Sequence, residues 1–392
     1  MKSPIVKEKY RDAETFVLFD HYNGISAKDH ERQRRAGDAV TQYHLSLHTV
    51  LPGREVILKN KENKKLLSQL LCTFQLGPKI ELVSKADCIV NHDEADITII
   101  SYMLKAAAAG ASHIRVLSDD TWVLLVYWVW KENITSEIYM EKWDGSILLI
   151  NSTVLSLGNK CKSLLGMHAL SGCDTVSYPC GKGKLTALKV IQNNDMSDLD
   201  VLGEYNTTQS DMMEAGKKFF LSLYSQTKSL SLNQARHTIY SRKKKPPKLK
   251  NLPPTDLNLA LHVRRAHLQM LLWKAADKPS APVLDITNYG WDTDNNTVMP
   301  CISRDPVAPP GLLDVISCGC QAAGKACSQR NCSCVSAGLS CTAYCVCEGG
   351  DLCCNPYSKD NDLDDEDDEN ETEQFSDIED GSENVSDLDD MD

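Results

Sequence analysis

The sequence lacks both a long apolar segment and an apolar leader. Its longest apolar run, WVLLVYWVW at 122–130, is too short to cross a bilayer, and the first twenty residues are charged almost throughout. Lys and Arg are missing from residues 360–392, which contain 18 Asp and Glu. These absences argue against a membrane-spanning or secreted protein, so we expect a soluble intracellular protein in a reducing compartment, with no membrane partner.

Charge is distributed unevenly along the chain. The net charge of −12 reflects 42 Lys and Arg against 54 Asp and Glu. Without the 18 acids of 360–392, 36 acids face 42 basic residues, which leaves the body of the chain at +6. We expect a disordered acidic tail over 357–392. It would act as a solubilising tail, compete with nucleic acid for the basic body, or recruit basic chromatin proteins such as histones.

The order of apolar patterns predicts an α/β fold. Strand patterns and helix patterns alternate in the first half of the chain, and this order predicts a parallel sheet with crossover helices. The strand patterns lie at 16–19, 80–90, 113–118 and 122–130. The helix patterns lie at 61–74, 94–111, 212–225, 231–241 and 256–276, with a Gly–Lys turn and helix at 180–191.

Changes in composition divide the chain into five regions. They are an α/β domain at 1–204, a helical region at 205–277 with a basic linker at 241–254, an irregular linker at 278–316, a Cys-rich module at 317–356, and the acidic tail at 357–392. The RKKK segment at 242–245 indicates nuclear import, phosphate binding or a solvated linker. We expect a nuclear protein.

Five acids stand where strands end or helices begin: Asp20, Glu94, Asp96, Asp120 and Asp174. In a parallel α/β sheet these ends converge on one edge, where such folds bind ligands. Converging carboxylates repel one another, and Mg²⁺ or Mn²⁺ would compensate them through oxygen ligands. Spacing alone leaves the alternative of solvated acids at helix N-termini.

The segments VLFD, EAD, LSDDTWVLLV and LSGCDTVSYPCGKGKLTALKVI occur in the order found in the flap-endonuclease and PIN-like nuclease superfamily. The last segment resembles that superfamily's GCDY…GIGPKTA signature, and the resemblance covers residues 15–195. It implies a PIN-like fold with a helix-turn-helix element that grips the DNA backbone. It also implies that the five acids hold Mg²⁺ or Mn²⁺ and that a metal-bound water attacks a phosphodiester.

A phosphate-gripping turn in that superfamily matches Gly181, Lys182, Gly183 and Lys184. Backbone amides of such a turn suit an anion in any fold. The alternative is a plain glycine loop with exposed lysines.

Two departures from the superfamily argue against full activity. On a strand, residue 122 would share the face of Asp120, and here Trp122 stands where the superfamily has a further acid, while Asp119 would point away. The superfamily also has an acid on an upstream first strand for which there is no room before Asp20, so we expect either that the sequence is a fragment or that this strand is lost. Five of seven expected acids remain, so we expect a weak or inactive nuclease, with an active metal-dependent nuclease as the alternative.

Ten of the 16 cysteines fall between 318 and 354. Thiolates this dense in an intracellular chain predict zinc rather than disulfides, and single-residue spacers suit cysteines that share ions. The predicted ligands are Cys318, Cys320, Cys327, Cys332, Cys334, Cys341, Cys345, Cys347, Cys353 and Cys354.

The spacing of this block resembles the tesmin/TSO1-like CXC domain, which ends in an Asn matched here by Asn355. That family implies nine cysteines binding three zinc ions, so either Cys353 or Cys354 would be spare. It also implies DNA contacts, for which Lys325 and Arg330 are the candidates.

The combination of domains resembles proteins derived from mobile elements in animal genomes. We expect a nuclear, DNA-associated zinc protein, with RNA as a further possible ligand. The alternatives are an active nuclease tethered by the zinc module, and a chromatin or protein-binding adaptor in which the module is only structural.

Overall fold

The computed structural model describes residues 12–303 and 317–357 with short gaps. The gaps are 22–25, 37–40, 47, 75–78, 84–87, 89, 91, 243–246, 295–296, 322–326, 329–330 and 350–352. The chain is a mixed α/β protein that divides into two compact units, Met1–Ser303 and Arg304–Asp392. The expected acidic tail and most of RKKK lie outside the described residues.

Helices make up most of the described chain, and nearly all the predicted helices are confirmed. They are α1 Lys28–Ala36, α2 Arg54–Ile57, α3 Lys61–Leu71, α4 Ala95–Ala108, α5 Trp122–Lys131, α6 Ile150–Leu157, α7 Leu164–Leu170, α8 Lys184–Asn193, α9 Gln209–Leu223, α10 Leu232–Arg242, α11 Asp256–Lys274 and α12 Ser333–Ser336. Short 3₁₀ helices span Gly158–Ser163, Ser197–Val201, Leu249–Asn251 and Ile286–Tyr289. None of the described helices combines the length and apolar character needed to cross a membrane.

The strands are short. They are β1 Thr15–Val17, β2 Ile80–Leu82, β3 His113–Leu117, β4 Glu137–Glu141, β5 Ile147–Leu149, β6 Trp291–Asp294 and β7 Thr297–Pro300. The pairs β1–β2 and β3–β4 are parallel, as predicted, whereas β4–β5 and β6–β7 are antiparallel. Within the described residues they form three small sheets, so the single parallel sheet expected for a PIN-like fold is not confirmed.

The predicted strand at 122–130 is wrong, because this run forms helix α5. All seven residues from Val123 to Val129 are buried. A helix buried on every side has no polar face, so its sequence shows no 3.6-residue period and resembles a buried strand. The shared-face argument for Asp120 and Trp122 therefore fails, and Trp122 instead lies in the first turn of α5 against the core.

The prediction of an irregular segment over 278–316 is wrong for its middle part. Residues 291–300 form the β6–β7 hairpin, whose Trp291 and Val298 are buried together with Leu268 of α11 and Ala27 beside α1. The hairpin thus holds the start of α1 against α11.

The core of the first unit is built around α5 and α11. Helix α11 is buried over most of its length, and the Trp128 indole of α5 donates a hydrogen bond to the carbonyl of Trp273 at 3.3 Å. Around this pair pack α4, α7, α8 and α9. The central position of α11 explains how residues some 175 positions apart, such as Gln269 and Glu94, come into contact.

Candidate metal centres

Four of the five predicted acids of the first unit act on one lysine, Lys28 of α1. Its Nζ atom lies 3.2 Å from Oε2 of Glu94 and 3.8 Å from Oδ2 of Asp174. The carboxylates of Asp20 and Asp96 also act on this ammonium and, with Glu94 and Asp174, raise its pKa, although burial opposes that shift. Asp120 is close enough to raise the pKa of Asp96. We call Asp20, Glu94, Asp96, Asp120 and Asp174 the carboxylate cluster.

The N-terminus of α4 positions two members of the cluster. Oδ1 of Asp20 accepts a hydrogen bond from the Ala95 amide at 2.9 Å, which satisfies one of the open amides of the helix. Glu94 is the N-cap residue of α4 and is 6% exposed. Its Oε1 accepts from Nε2 of Gln269 at 3.2 Å. Both carboxylates therefore have fixed partners.

Asp96 and Asp120 belong to a chain of short hydrogen bonds. The Thr121 hydroxyl donates to Oδ1 of Asp96 at 2.6 Å and lies 2.6 Å from the Ser118 hydroxyl, which lies 3.3 Å from Oδ1 of Asp120. Burial, reinforced by the charge of Asp120, raises the pKa of Asp96 to about 6, although Thr121 and Lys28 oppose the shift. As the pH falls, Asp96 thus takes up a proton at a higher pH than an ordinary aspartate does.

The cluster does not fit a divalent ion as it stands. Mg²⁺ requires several oxygen ligands at about 2.1 Å, so its ligand oxygens lie close together. In the described part of the chain, the groups of three or more ligand atoms within 4.8 Å of one another consist of cysteines alone. An ammonium lies between Glu94 and Asp174 instead. Nothing in the sequence pattern marks Lys28, because it stands in a polar segment without an apolar face.

The loop that carries Asp174 connects α7 to α8, the two helices of the expected helix-turn-helix element. The Thr175 hydroxyl donates to Oε1 of Gln269 at 2.6 Å, and the Ser177 hydroxyl lies 3.2 Å from Nδ1 of His262. Gly172 has a φ of +104°, and a Cβ there would lie 2.6 Å from that of Tyr178, so only glycine fits.

Lys184 also holds this loop. Its Nζ donates to the carbonyl of His168 at 2.6 Å, to the Ser171 hydroxyl at 3.0 Å and to the Gly172 carbonyl. Burial lowers the pKa of Lys184 to about 8. All three of its protons thus serve acceptors within the chain, a task different from the predicted phosphate contact.

The rest of the predicted turn is open to solvent. A Cβ at Gly181 or Gly183 would meet no atom within 4 Å. The Lys182 ammonium lies over the Tyr224 ring, 5.2 Å from its centroid, and remains half-buried. Of the two predicted lysines, Lys182 is the one left to contact a phosphate.

The cysteines of the second unit form a dense cluster whose spacing suits zinc. Thiolates bound tetrahedrally at about 2.3 Å lie about 3.8 Å from one another. The Sγ atom of Cys318 is 3.8 Å from those of Cys327 and Cys341 and 3.7 Å from that of Cys347. Sγ atoms of Cys334 and Cys345 are 3.5 Å apart. All the cysteines are free of disulfides, so the cluster could hold zinc.

Three overlapping groups of four thiols lie within reach of an ion. They are Cys318, Cys320, Cys327 and Cys332; Cys318, Cys327, Cys341 and Cys347; and Cys318, Cys332, Cys334 and Cys341. Cys318 belongs to all three groups, which fits a thiolate that bridges ions. The cluster is thus compatible with more than one zinc ion, as the single-residue spacers predicted.

The structure distinguishes the adjacent pair Cys353 and Cys354. Cys353 is 4% exposed, belongs to the buried thiol cluster, and lies 3.9 Å from Cys347 between Sγ atoms. Cys354 is half-buried and outside that cluster. Cys353 is therefore the better placed ligand.

Asn355 closes the module, as its place in the sequence suggested. It is fully buried, and its Nδ2 donates to Sγ of Cys341 at 3.1 Å and to the Leu339 carbonyl at 2.9 Å. A donor to a thiolate sulfur stabilises its negative charge and orients it. The thiolate of Cys345 is stabilised in the same way. Burial opposes its ionisation, but hydrogen bonds from backbone amides, including that of Thr342, lower its pKa to about 6.

The predicted DNA contacts Lys325 and Arg330 lie outside the described residues, so they stay predictions.

The contrast between Cys353 and Cys354 is testable by substitution. We expect Cys353→Ser to lose about one zinc ion per chain, because it removes a buried thiol that lies beside Cys347 in the cluster. Cys354→Ser is the matched control and should keep the zinc content of the wild type. Elemental analysis of the desalted protein measures both, and equal zinc in the two variants would contradict the assignment.

A second pair of variants separates the two lysines of the turn. Lys184→Met should lower the free energy of unfolding by about 1–3 kcal/mol, because it leaves buried acceptors without donors. Lys182→Met should cost less than about 1 kcal/mol, since it removes only a cation–π contact. Urea unfolding of the zinc-loaded protein measures both. Similar losses in the two variants would show that Lys184 does not hold the loop.

The raised pKa of Asp96 predicts a pH dependence of stability. The folded state binds this proton more tightly than the unfolded chain, so the contribution of Asp96 to stability falls as the pH rises from about 4 to about 6. Asp96→Asn keeps the acceptor for Thr121 and removes the charge. We expect it to exceed the wild type in stability by about 1–3 kcal/mol at pH 7 and to match it near pH 4.

Thermal unfolding across this pH range provides the measurement, with the exposed neighbour Asp119→Asn as the control. A constant difference between wild type and Asp96→Asn at all pH values would mean that Asp96 does not titrate between pH 4 and 6.

Comparison with protein-family models finds no match for this chain, and comparison with curated proteins and with solved structures finds none either. The cysteine cluster at 318–353 is consistent with a CXC-like module that could bind zinc.

Proposed function

We propose that this chain is a zinc-dependent, nucleic-acid-associated nuclear protein whose α/β unit is nuclease-like in its arrangement of acids but weak or inactive as a phosphodiesterase. The observation that carries the proposal is the thiol cluster, in which overlapping groups of four sulfurs have the spacing of tetrahedral zinc sites. Three zinc ions, held by nine cysteines including Cys353, would stabilise the module.

Zinc would determine whether the second unit folds. Within 317–357, the part of this unit that the structure describes with gaps, the buried residues are mainly cysteines, with little other apolar side chain to form a core. Small modules of this kind obtain their folding free energy from the metal. The basic residues Lys325 and Arg330 would then be presented next to zinc ligands, where they would contact phosphates or a groove edge.

Weak or absent catalysis is supported by the state of the carboxylate cluster. Its oxygens accept hydrogen bonds from the Ala95 amide, Gln269 and Thr121, and its centre contains the Lys28 ammonium. Two-metal hydrolysis needs free carboxylate oxygens that hold two ions about 4 Å apart.

An active nuclease is the second candidate, and one observation favours it. Acids separated by up to about 150 residues in the sequence converge around one point, which is the arrangement that a metal-dependent phosphodiesterase requires. In that case a divalent ion would displace Lys28, and Lys182 would contact the substrate backbone.

Nucleic-acid binding by the zinc module is tested with fluorescently labelled duplex, single-stranded and flapped DNA, and with RNA, by anisotropy. We expect the Lys325→Ala/Arg330→Ala double variant to weaken binding on the order of tenfold and to reduce its dependence on salt, because two phosphate contacts are lost. Lys217→Ala/Lys218→Ala on α9 is the charge-matched control. Equal loss in both double variants would indicate a non-specific charge effect and support the adaptor alternative.

Cleavage of the same substrates in Mn²⁺ distinguishes the two candidates. We expect no cleavage by the wild type above that of Asp174→Ala. Cleavage that disappears in Asp120→Ala and in Asp174→Ala would establish the active nuclease instead. Trp122→Asp would not test the acidic site, since Trp122 lies in α5 and packs against the core.

A further inference from the structure

Lys28 is the one cation that the described structure places at the centre of the carboxylate cluster. Its side chain is 17% exposed, and its ammonium contacts Glu94 and Asp174 while Asp20 and Asp96 act on it from further away. Several carboxylates in one place repel one another, and a nearby positive charge offsets that repulsion.

We propose that the Lys28 ammonium is the resident counter-charge of the carboxylate cluster and takes the place of a divalent cation there. The α/β unit is then held together without Mg²⁺ or Mn²⁺. This inference deepens the proposed function, because it supplies the reason why a nuclease-like set of acids is weak or inactive.

The backbone of α1 fixes Lys28 in this place. Ala27, next to it, is buried with Trp291 and Val298 of the β6–β7 hairpin. On the other side, Asp29 accepts from the Ser26 amide at 3.0 Å and pairs with Lys61 at 2.8 Å. The backbone at the start of α1 is therefore anchored on both sides of Lys28. A shift of this backbone cannot carry the ammonium out of the cluster.

The partners of the acids favour an ammonium over a metal ion. Oδ1 of Asp20, Oε1 of Glu94 and Oδ1 of Asp96 each accept from a donor of the chain, at 2.9, 3.2 and 2.6 Å. The other oxygens of Glu94 and Asp174, Oε2 and Oδ2, lie 3.2 and 3.8 Å from the ammonium nitrogen, distances that suit an ammonium and exceed the about 2.1 Å of a Mg²⁺–oxygen bond. A divalent ion at the same place would also be repelled by Lys28.

The test measures Mn²⁺ binding to the zinc-loaded full chain. The electron paramagnetic resonance signal of free Mn²⁺ reports how much of the ion remains unbound. We expect Lys28→Met to gain one Mn²⁺ site at least tenfold tighter than any in the wild type. Lys28→Arg should gain none, because it keeps the charge. Lys162→Met is the charge-matched control, since it removes an ion pair with Asp200 that lies outside the cluster and does not hold α1. Sites on the acidic segment 360–392 are common to all variants and cancel in the comparison.

Two results would overturn the inference. The first is a folded Lys28→Met protein, judged by circular dichroism, that gains no Mn²⁺ site. The second result is obtained with the native lysine in place, so it applies even if Lys28→Met does not fold. It is a loss of Mn²⁺ binding in Glu94→Gln relative to the wild type. Such a loss would mean that a divalent ion already occupies the cluster. We expect Glu94→Gln to leave Mn²⁺ binding unchanged.

These outcomes are separate from those of the proposed function. A chain that binds no nucleic acid would contradict the proposed function and leave the role of Lys28 intact. Tight Mn²⁺ binding by the wild type that depends on Glu94 would remove the role of Lys28 and leave nucleic-acid binding by the zinc module untouched.

Discussion

Charge compensation at the carboxylate cluster is the constraint on which the first unit depends. Glu94 is buried at the start of α4, and an uncompensated carboxylate there would cost several kcal/mol. Lys28 supplies the opposite charge from α1, and Gln269 supplies a hydrogen bond from α11. The hairpin at 291–300 fixes α1, and the loop that carries Asp174 is tied to α11 through Thr175. Segments from the whole length of the unit therefore meet at one ion-pair network.

Repulsion between like charges also arises in the second unit, where a metal ion rather than a lysine would compensate it. Ten cysteines crowd into a short segment, and as thiolates they would repel one another as strongly as the carboxylates do. The described thiols lie in overlapping groups of four whose spacing is compatible with tetrahedral zinc. Soft thiolates bind Zn²⁺ tightly, whereas the carboxylates of the first unit have a hydrogen-bonded ammonium as their partner. One chain thus combines a module whose thiols could hold zinc with a cluster of acids that contains a lysine ammonium.

The predictions from the sequence succeeded where the signal was local. Helices such as α4, α9 and α11 were confirmed because their propensity and length are evident within a few turns. The prediction failed for α5, whose burial on all sides removes the period that distinguishes a helix from a strand. It also failed for the β6–β7 hairpin, because residues 291–300 are rich in Asp and Asn and are stabilised by packing against distant elements. Four of the predicted acids act on Lys28 and Asp120 acts on Asp96, but the role of all five as metal ligands stays a prediction.

The sequence by itself determined the ligand chemistry of the cysteine module, since ten thiols at that density leave few alternatives to metal, and it determined which carboxylates stand at element ends. Only the tertiary structure decided which groups meet those residues. Lys28 and Gln269 are site residues because α1 and α11 pack beside α4. Lys184 faces inward because three acceptors at the end of α7 and in the α7–α8 loop surround it. Cys353, rather than Cys354, belongs to the buried thiol cluster. The physical reason is that an ion pair or hydrogen bond between residues far apart in the chain depends on how the helices pack. Composition and spacing along the chain do not predict that packing.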